Sequence, residues 1–284
     1  MDMVRLVKRL THQKKVGHGG TLDPIAAGVL PICLGQATRM MDHLIDSTKL
    51  YQTEIVLGIT TDTFDIAGTI LEENDISSIN LEMINNTLDN FKGTIYQVPP
   101  MYSALKSQGT RLYQYARAGI EIQRAPREVR VLNLQIHEWN PPILNLQIEC
   151  GRGVYIRSLA HDLGQSLGCG AHIKTLMRLR TGPFSIEQAI SPEDLESHTK
   201  SDSWTQCLFP TDYVIGHLRV AMVDSIVINN LKYGRPTKID PKVLGNAHHG
   251  ERCRIYSING EFTAIAKFDE FQKLWLPERV FELR

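Results

Sequence analysis

The stretch Gly17-His18-Gly19-Gly20-Thr21-Leu22-Asp23-Pro24-Ile25-Ala26-Ala27-Gly28-Val29-Leu30-Pro31 constrains this chain more than any other. Gly17, Gly19 and Gly20 reach backbone angles closed to other residues and let another molecule approach closely. Pro24 disfavours the helical region for Asp23 and sets it in extended or turn geometry. One reading is a glycine-rich loop that delivers a single carboxylate and runs into an apolar turn. The other is a helix start, with Asp23 as N-cap and Pro24 at the first helical position. For an Asp-Pro pair taken by itself, the helix start is the commoner outcome.

The chain has 284 residues, enough for one large domain or two. Its 42% hydrophobic and 22% charged content is that of an ordinary globular protein. A formal net charge of +0 does not announce a basic nucleic-acid binder, so the local distribution matters more. Arg5, Lys8, Arg9, Lys14 and Lys15 form one basic region. Lys106, Arg111, Arg117, Arg124, Arg127 and Arg130 form a second, and Arg152, Arg157, Lys174, Arg178 and Arg180 a third. Each alone reads as a solvated face; together they suggest a phosphate-binding surface. Cys33, Cys150, Cys169, Cys207 and Cys253 are scattered without C-x-x-C spacing. That pattern argues against a zinc site or disulfide framework and fits a reducing cytoplasm. No apolar run is long enough to span a bilayer and no signal-peptide pattern opens the chain.

Residues 3–10 place Val4, Leu6, Val7 and Leu10 at helical spacing among arginines and lysines, which predicts an amphipathic helix. Residues 38–45 read as a helix with Met40, Met41, Leu44 and Ile45 inward, and residues 81–91 as another amphipathic helix. Residues 49–58 alternate as a strand. Thr60 to Gly68 form a polar turn; Asp62 and Asp65 look like a metal pair there but fit better as acceptors of turn hydrogen bonds. Residues 127–139 and 143–150 read as two strands joined at Pro141-Pro142, and residues 150–164 as a strand end entering a helix. A short helix is expected at 192–195. From about residue 216 the text changes to short apolar runs at 218–223, 252–258, 262–268 and 279–283, with Asn259-Gly260 as a hairpin signal. His248-His249 has no further ligands at metal spacing and reads as a polar loop.

The opening stretch, continued by Gly35-Gln36-Ala37-Thr38-Arg39, closely resembles the signature of the TruB family of tRNA pseudouridine synthases, G-H-x-G-[TS]-L-D-P-x-A-x-G-V-L-P followed by G-x-A-T-[KR]. The resemblance recurs in Lys49 to Gly58, in the polar turn with its T-x-T-x-D-x-x-G pattern, and in GTIYQVPPMYSALK at 93–106. It recurs again in LYQYARAG at 112–119, in Cys150-Gly151-Arg152-Gly153-Val154-Tyr155-Ile156-Arg157-Ser158-Leu159-Ala160-His161-Asp162-Leu163-Gly164, and in GAHIKTLMRLRTGPF at 170–184. Family members carry an upstream strand with a D-K-P-x-G-x-[TS]-S motif. This sequence starts where that motif would just have ended, so the expectation is a catalytic sheet lacking one strand, with neighbouring backbone groups unpaired.

The resemblance implies an α+β fold. A pseudouridine synthase catalytic domain, residues 1–213, would hold a mixed, largely antiparallel sheet flanked by helices. A small β-rich PUA-like RNA-binding domain would occupy 214–284. It implies isomerisation of uridine to pseudouridine in the T-loop of tRNA, at position 55. Asp23 corresponds to the nucleophile and Arg157 to the arginine that pairs with it. A carboxylate that must stay ionised in a buried site is served by a nearby guanidinium. Tyr51 corresponds to a tyrosine that stacks on the target base, and Tyr155 and Leu176 to residues lining the uracil pocket. His18 corresponds to the residue that takes the place of the flipped base. Alone, each would read as packing, a polar loop residue or a surface ion pair. The reaction breaks the N1–C1′ bond, turns the uracil and rejoins it through C5. It needs no redox cofactor or metal, so none is expected, and a carboxylate can carry it through a covalent intermediate. Whether ribose or base is attacked first stays open. The target must leave its stack, and Tyr102, Tyr113 and Tyr115 among Lys106, Arg111 and Arg117 suit RNA. The expected partner is the tRNA T stem-loop, with no membrane, no protein partner and a monomeric, cytoplasmic chain. Two rivals are a guide-RNA-dependent synthase and an RNA-binding or tRNA-folding protein whose catalysis was lost with the N-terminal strand. A sugar-cleaving hydrolase is poorly supported, because Asp23 has no second carboxylate in these motifs.

Overall fold

Alternation decides the central sheet. In Ile143–Cys150, Leu144, Leu146, Ile148 and Cys150 are buried while their neighbours are only partly so, the pattern of a strand with one face on a core. The computed structural model describes residues 2–282. They divide into two compact units interleaved in sequence.

One unit comprises residues 21–30 and 45–189. Its seven-stranded sheet runs in the order Phe184–Ser185, Ala171–Thr181, Lys49–Leu57, Ile143–Cys150, Arg127–Asn140 and Gly93–Gln97, all neighbours antiparallel. Ala26–Gly28 is the exception and lies parallel to Ala171–Thr181. The sheet is thus mixed and largely antiparallel, and the fold is α+β. The helices Leu81–Asp89 and Ile156–Ser166 bury Ile84, Leu88, Ile156, Leu159, Ala160 and Leu163 in the same core as Ile55, Leu57, Leu146 and Ile173. Asn80 caps the first of these helices by accepting from Met83 N.

The segment after Asp23 is not a helix start. The Ala26 N–H donates to the Asp23 carbonyl at 2.9 Å, which closes a turn over Pro24 and Ile25, and the chain then enters the strand Ala26–Gly28. Its partner strand competes successfully with any helix here, since Val29 N also donates to the Arg178 carbonyl at 2.8 Å.

The other unit comprises the described residues of 1–20, 31–44 and 190–284. It contains the helix Asp2–Thr11, the antiparallel pair Val16–His18 and Ile32–Leu34, the 3-10 turn Gly35–Met40 and the helix Pro192–Lys200. It also holds a four-stranded sheet ordered Arg219–Val223, Arg252–Ser257, Phe262–Asp269 and Leu274–Val280. The first two strands are parallel and the rest antiparallel. With the helix Ser225–Lys232 they enclose Ala221, Leu231, Cys253, Ile255, Ala264 and Trp275. Residues after the opening motif dock on this sheet's last strand: Arg279 Nη2 donates to Asp42 Oδ2 at 2.7 Å, and Arg39 lies over the Phe281 ring. The expected strand at 279–283 is instead Leu274–Val280, and Leu283 lies outside the described residues.

Candidate active site

Asp23 is presented by the turn described above, with 28% of its side chain exposed. Arg157 sits in the first turn of the helix Ile156–Ser166, where the fall of the chain from Cys150 to Tyr155 places it under the sheet, 3% exposed. Its Nε donates to Asp23 Oδ2 at 2.9 Å and its Nη2 to Asp23 Oδ1 at 2.7 Å. This two-point, charge-assisted contact fixes both carboxylate oxygens in one plane. Each oxygen accepts one of these bonds and retains a further lone pair.

The guanidinium is itself held from three sides. Nη2 also donates to the Tyr102 carbonyl at 2.8 Å, Nη1 to the Thr63 carbonyl at 3.3 Å, and the buried Asp65 carboxylate lies 3.6 Å from Nη1. Asp62 and Asp65 do accept turn hydrogen bonds, from Thr69 N in one case and from Ala67 N and Thr63 Oγ1 in the other. Asp65 has this second task facing Arg157, which the turn reading missed. The signal for it was a second aspartate in a motif already matched to the family.

Tyr51 stands on Lys49–Leu57 and packs against the same core as Ile25, Ala26 and Leu176. Leu176 is buried on Ala171–Thr181, in register with both Ala26 and Thr53. Burial pushes the Tyr51 hydroxyl above its ordinary range, against the opposing pull of the Arg178 cation. Tyr155 precedes the Arg157 helix. Its backbone N–H donates to Gln97 Oε1 at 2.8 Å and its carbonyl accepts from Gln97 Nε2 at 3.0 Å. Burial raises its hydroxyl pKa as well, and the Asp23 charge adds to the upward push on both tyrosines. The structure therefore gathers Asp23, Arg157, Tyr51, Tyr155 and Leu176 on one sheet and its covering helix. His18 belongs to the other unit, on Val16–His18, where its Nδ1 accepts from Gly20 N at 3.3 Å.

The third basic region is surface only in part: Arg152, Lys174 and Arg180 reach solvent, each paired with a carboxylate, while its other two arginines do not. Arg157 and Arg178 are buried, Arg178 Nε donating to the Val29 carbonyl at 2.7 Å. Arg180 pairs with Glu149 at 2.5 Å, Lys174 with Glu54 at 3.4 Å and Arg152 with Asp46 at 2.8 Å. Lys49, which sequence reading passed over, is also buried; desolvation, then the Arg178 charge, lowers its pKa to about 8. The second region keeps its cations outward: Lys106, Arg111, Arg117, Arg127 and Arg130 are exposed, and Arg111 and Arg117 lie over the Tyr113 ring.

The family model described as TruB family pseudouridylate synthase, N-terminal domain, matches residues 8–156, and that of the tRNA pseudouridylate synthase B C-terminal domain matches residues 157–215. This chain belongs to the TruB family. The tRNA pseudouridine synthase B of Dehalococcoides mccartyi is 40% identical over 280 residues, covering 99% of the chain and 91% of that protein. The enzyme of the same name from Clostridium tetani is 40% identical over 255 residues, 90% of this TruB-family chain and 86% of its relative. Among solved structures, a Cbf5-Nop10-Gar1 complex matches with a TM-score of 0.75 at 25% identity, over 99% of this chain and 81% of that one. An H/ACA RNP bound to a substrate RNA containing 2'-deoxyuridine shares the fold, with a TM-score of 0.72 at 22% identity.

Proposed function

We propose that this chain isomerises uridine to pseudouridine in the T-loop of tRNA, at position 55, with Asp23 as the nucleophile. One observation carries the assignment to a site: a partly exposed carboxylate whose two oxygens are both held by a buried arginine. That arrangement orients the carboxylate against a fixed cation while leaving it open to a base that has left its stack. Asp23 attacks and a covalent intermediate forms, the N1–C1′ bond breaks, the uracil turns and rejoins through C5, and the bond to Asp23 breaks with the carboxylate as leaving group. The proton lost from C5 is balanced by one gained at N1, so no oxidant or outside group is consumed. Tyr51 supplies a flat, partly buried face for the uracil, and burial moves its phenol pKa still further above neutral. Tyr155 and Leu176 close the pocket walls. The role that the resemblance gives His18, occupying the space the base vacates, is part of the same proposal.

The exposed cations and half-buried tyrosines of residues 102–130 provide phosphate contacts and stacking surfaces for the RNA. Residues 214–284 are assigned to a PUA-like RNA-binding domain built on the four-stranded sheet, and residues 1–213 to the catalytic domain. Among the described residues no helix is long and apolar enough to cross a membrane; the proposed setting is the cytoplasm. A stand-alone tRNA enzyme is favoured over a guide-dependent one because the curated relatives, whose length this chain nearly matches, are tRNA enzymes by name.

The test is conversion of a T-stem-loop RNA by the purified chain alone, without guide RNA, and by Asp23→Asn, read by chemical mapping of pseudouridine. The expected result is modification of the T-loop uridine by the parent and binding without modification by the variant. Binding without modification by the parent would sink the catalytic reading and favour the RNA-folding rival.

A further inference from the structure

Two of the groups that hold Arg157, the Thr63 carbonyl and the Asp65 carboxylate, flank a single residue, Phe64. Phe64 adopts φ +62°, the left-handed region that a bulky side chain enters only under constraint from its surroundings. Two contacts impose it. The Ile173 N–H donates to the Phe64 carbonyl at 3.0 Å. The Phe64 ring stacks on His161, with centroids 3.9 Å apart and planes at 17°. His161 lies four residues beyond Arg157 on the helix Ile156–Ser166 and so shares its face. Its Nδ1 is buried without a hydrogen-bond partner, and leaving a buried polar nitrogen unmet is unfavourable. The imidazole is therefore held by its ring contact and not by a hydrogen bond from Nδ1.

We propose that His161 is a positioning residue: its stack on Phe64 clasps the 62–68 turn to the arginine-bearing helix, and so sets Thr63 and Asp65 around Arg157 and, through Arg157, the carboxylate of Asp23. The clasp acts on orientation and touches no substrate, so its loss lowers turnover and leaves RNA binding alone. This rests on the reading of Asp23 as the reacting group. Neither residue is part of the matched signature's fixed positions: the turn pattern leaves the place of Phe64 open, and the helix pattern leaves that of His161 open.

The experiment compares His161→Leu, Phe64→Leu, the double variant and His161→Phe with the parent. It measures kcat and KM on the T-stem-loop RNA and the NMR signal of the Arg157 Nε–H. Small misplacements at a reacting centre cost about 10- to 100-fold, so each leucine variant is expected to lose about tenfold or more in kcat at unchanged KM. The double variant is expected to be no worse than either single one, because both remove the same contact. The Arg157 Nε–H signal should shift or broaden in the leucine variants, and His161→Phe, which keeps a stacked ring, should restore both readouts. A folded His161→Leu with parental kcat and an unmoved signal overturns the proposal, as do losses that multiply in the double variant. Should His161→Leu fail to fold, Phe64→Leu reads the same contact from its other side. An inactive parent, or an active Asp23→Asn, would instead overturn the catalytic reading, while the NMR signal still decides whether the clasp sets Arg157.

Discussion

Asp23 and Arg157 stand 134 residues apart in sequence and meet through two parallel hydrogen bonds of 2.9 and 2.7 Å. The pairing joins a turn at the margin of the sheet to the helix that covers it. Its two partners differ in exposure, 28% against 3%. The anion faces outward and the cation is locked inside, which is the arrangement expected when the anion reacts and the cation orients it.

Arg157→Lys should therefore be severe although the charge is conserved. A lysine ammonium cannot bridge both Asp23 oxygens and still reach the carbonyls of Thr63 and Tyr102. Loss of a preorganised donor of this kind costs about 100-fold or more in kcat. The expected outcome is that loss with RNA affinity within a few-fold of the parent, measured by single-turnover kinetics and filter binding. A lysine variant within tenfold of parental turnover would show that two-point contact is not needed.

Asp65→Asn isolates the second anion. The amide oxygen can still accept from Ala67 N and Thr63 Oγ1, so the turn survives, but the charge facing Arg157 Nη1 is gone. Turnover should fall by about tenfold, with the unfolding midpoint nearly unchanged. A large drop in melting temperature at preserved turnover would assign Asp65 to stability instead.

Alternation and turn signals made most of the sheet legible: Lys49–Leu57, Ile143–Cys150 and the Asn259-Gly260 hairpin all lie where the pattern puts them. Ala26–Gly28 was not legible, because a three-residue strand has no period of its own and its partner lies about 150 residues downstream. Leu274–Val280 was misread because Pro277 and Glu278 interrupt its apolar text. An edge strand tolerates a proline that an inner strand would not, and beside its one neighbouring strand Leu274–Val280 makes a bridge to Thr237 at Trp275, which leaves Pro277 clear of it. At the site, family resemblance pointed to Asp23, Arg157, Tyr51, Tyr155 and Leu176 individually. Spacing alone could not have joined residues on a turn, two strands and a helix start. The ring stack of Phe64 on His161 leaves no trace in sequence at all, since each residue separately reads as ordinary.

Asp162 should govern part of the pH dependence of stability. Burial pushes its carboxyl up to about 6 from a model-compound value of 3.8. The folded state thus binds a proton that the unfolded chain has released between about pH 4 and 6. Stability should decline as pH rises through that window and level off above it, where both states are ionised. Asp162→Asn removes the titration, so it should flatten that part of the melting curve against pH and melt higher than the parent at pH 7. A variant that melts lower at pH 7 would mean that the ionised carboxylate has a stabilising partner.

Gly28→Ala tests whether the short parallel strand sets the site. Gly28 has φ +102°, and a Cβ there would lie 2.3 Å from the Arg178 carbonyl oxygen and 2.9 Å from its backbone nitrogen, atoms that cannot move without distorting Ala171–Thr181. The strand would have to withdraw, breaking the Val29 N–H bond to the Arg178 carbonyl and shifting the turn that presents Asp23. Gly93→Ala is the control: it also has a positive φ, +84°, but its Cβ would meet nothing within 4 Å. The control should cost only the backbone term, about 1–2 kcal/mol. Gly28→Ala should cost about 2 kcal/mol more, from the clash and the lost hydrogen bond, and should lower kcat even at temperatures where it remains folded. Urea titration of both variants, with turnover measured well below each midpoint, separates the two effects. Equal destabilisation of the two, with turnover intact in Gly28→Ala, would mean that the contact between Gly28 and Arg178 does not hold Asp23 in place.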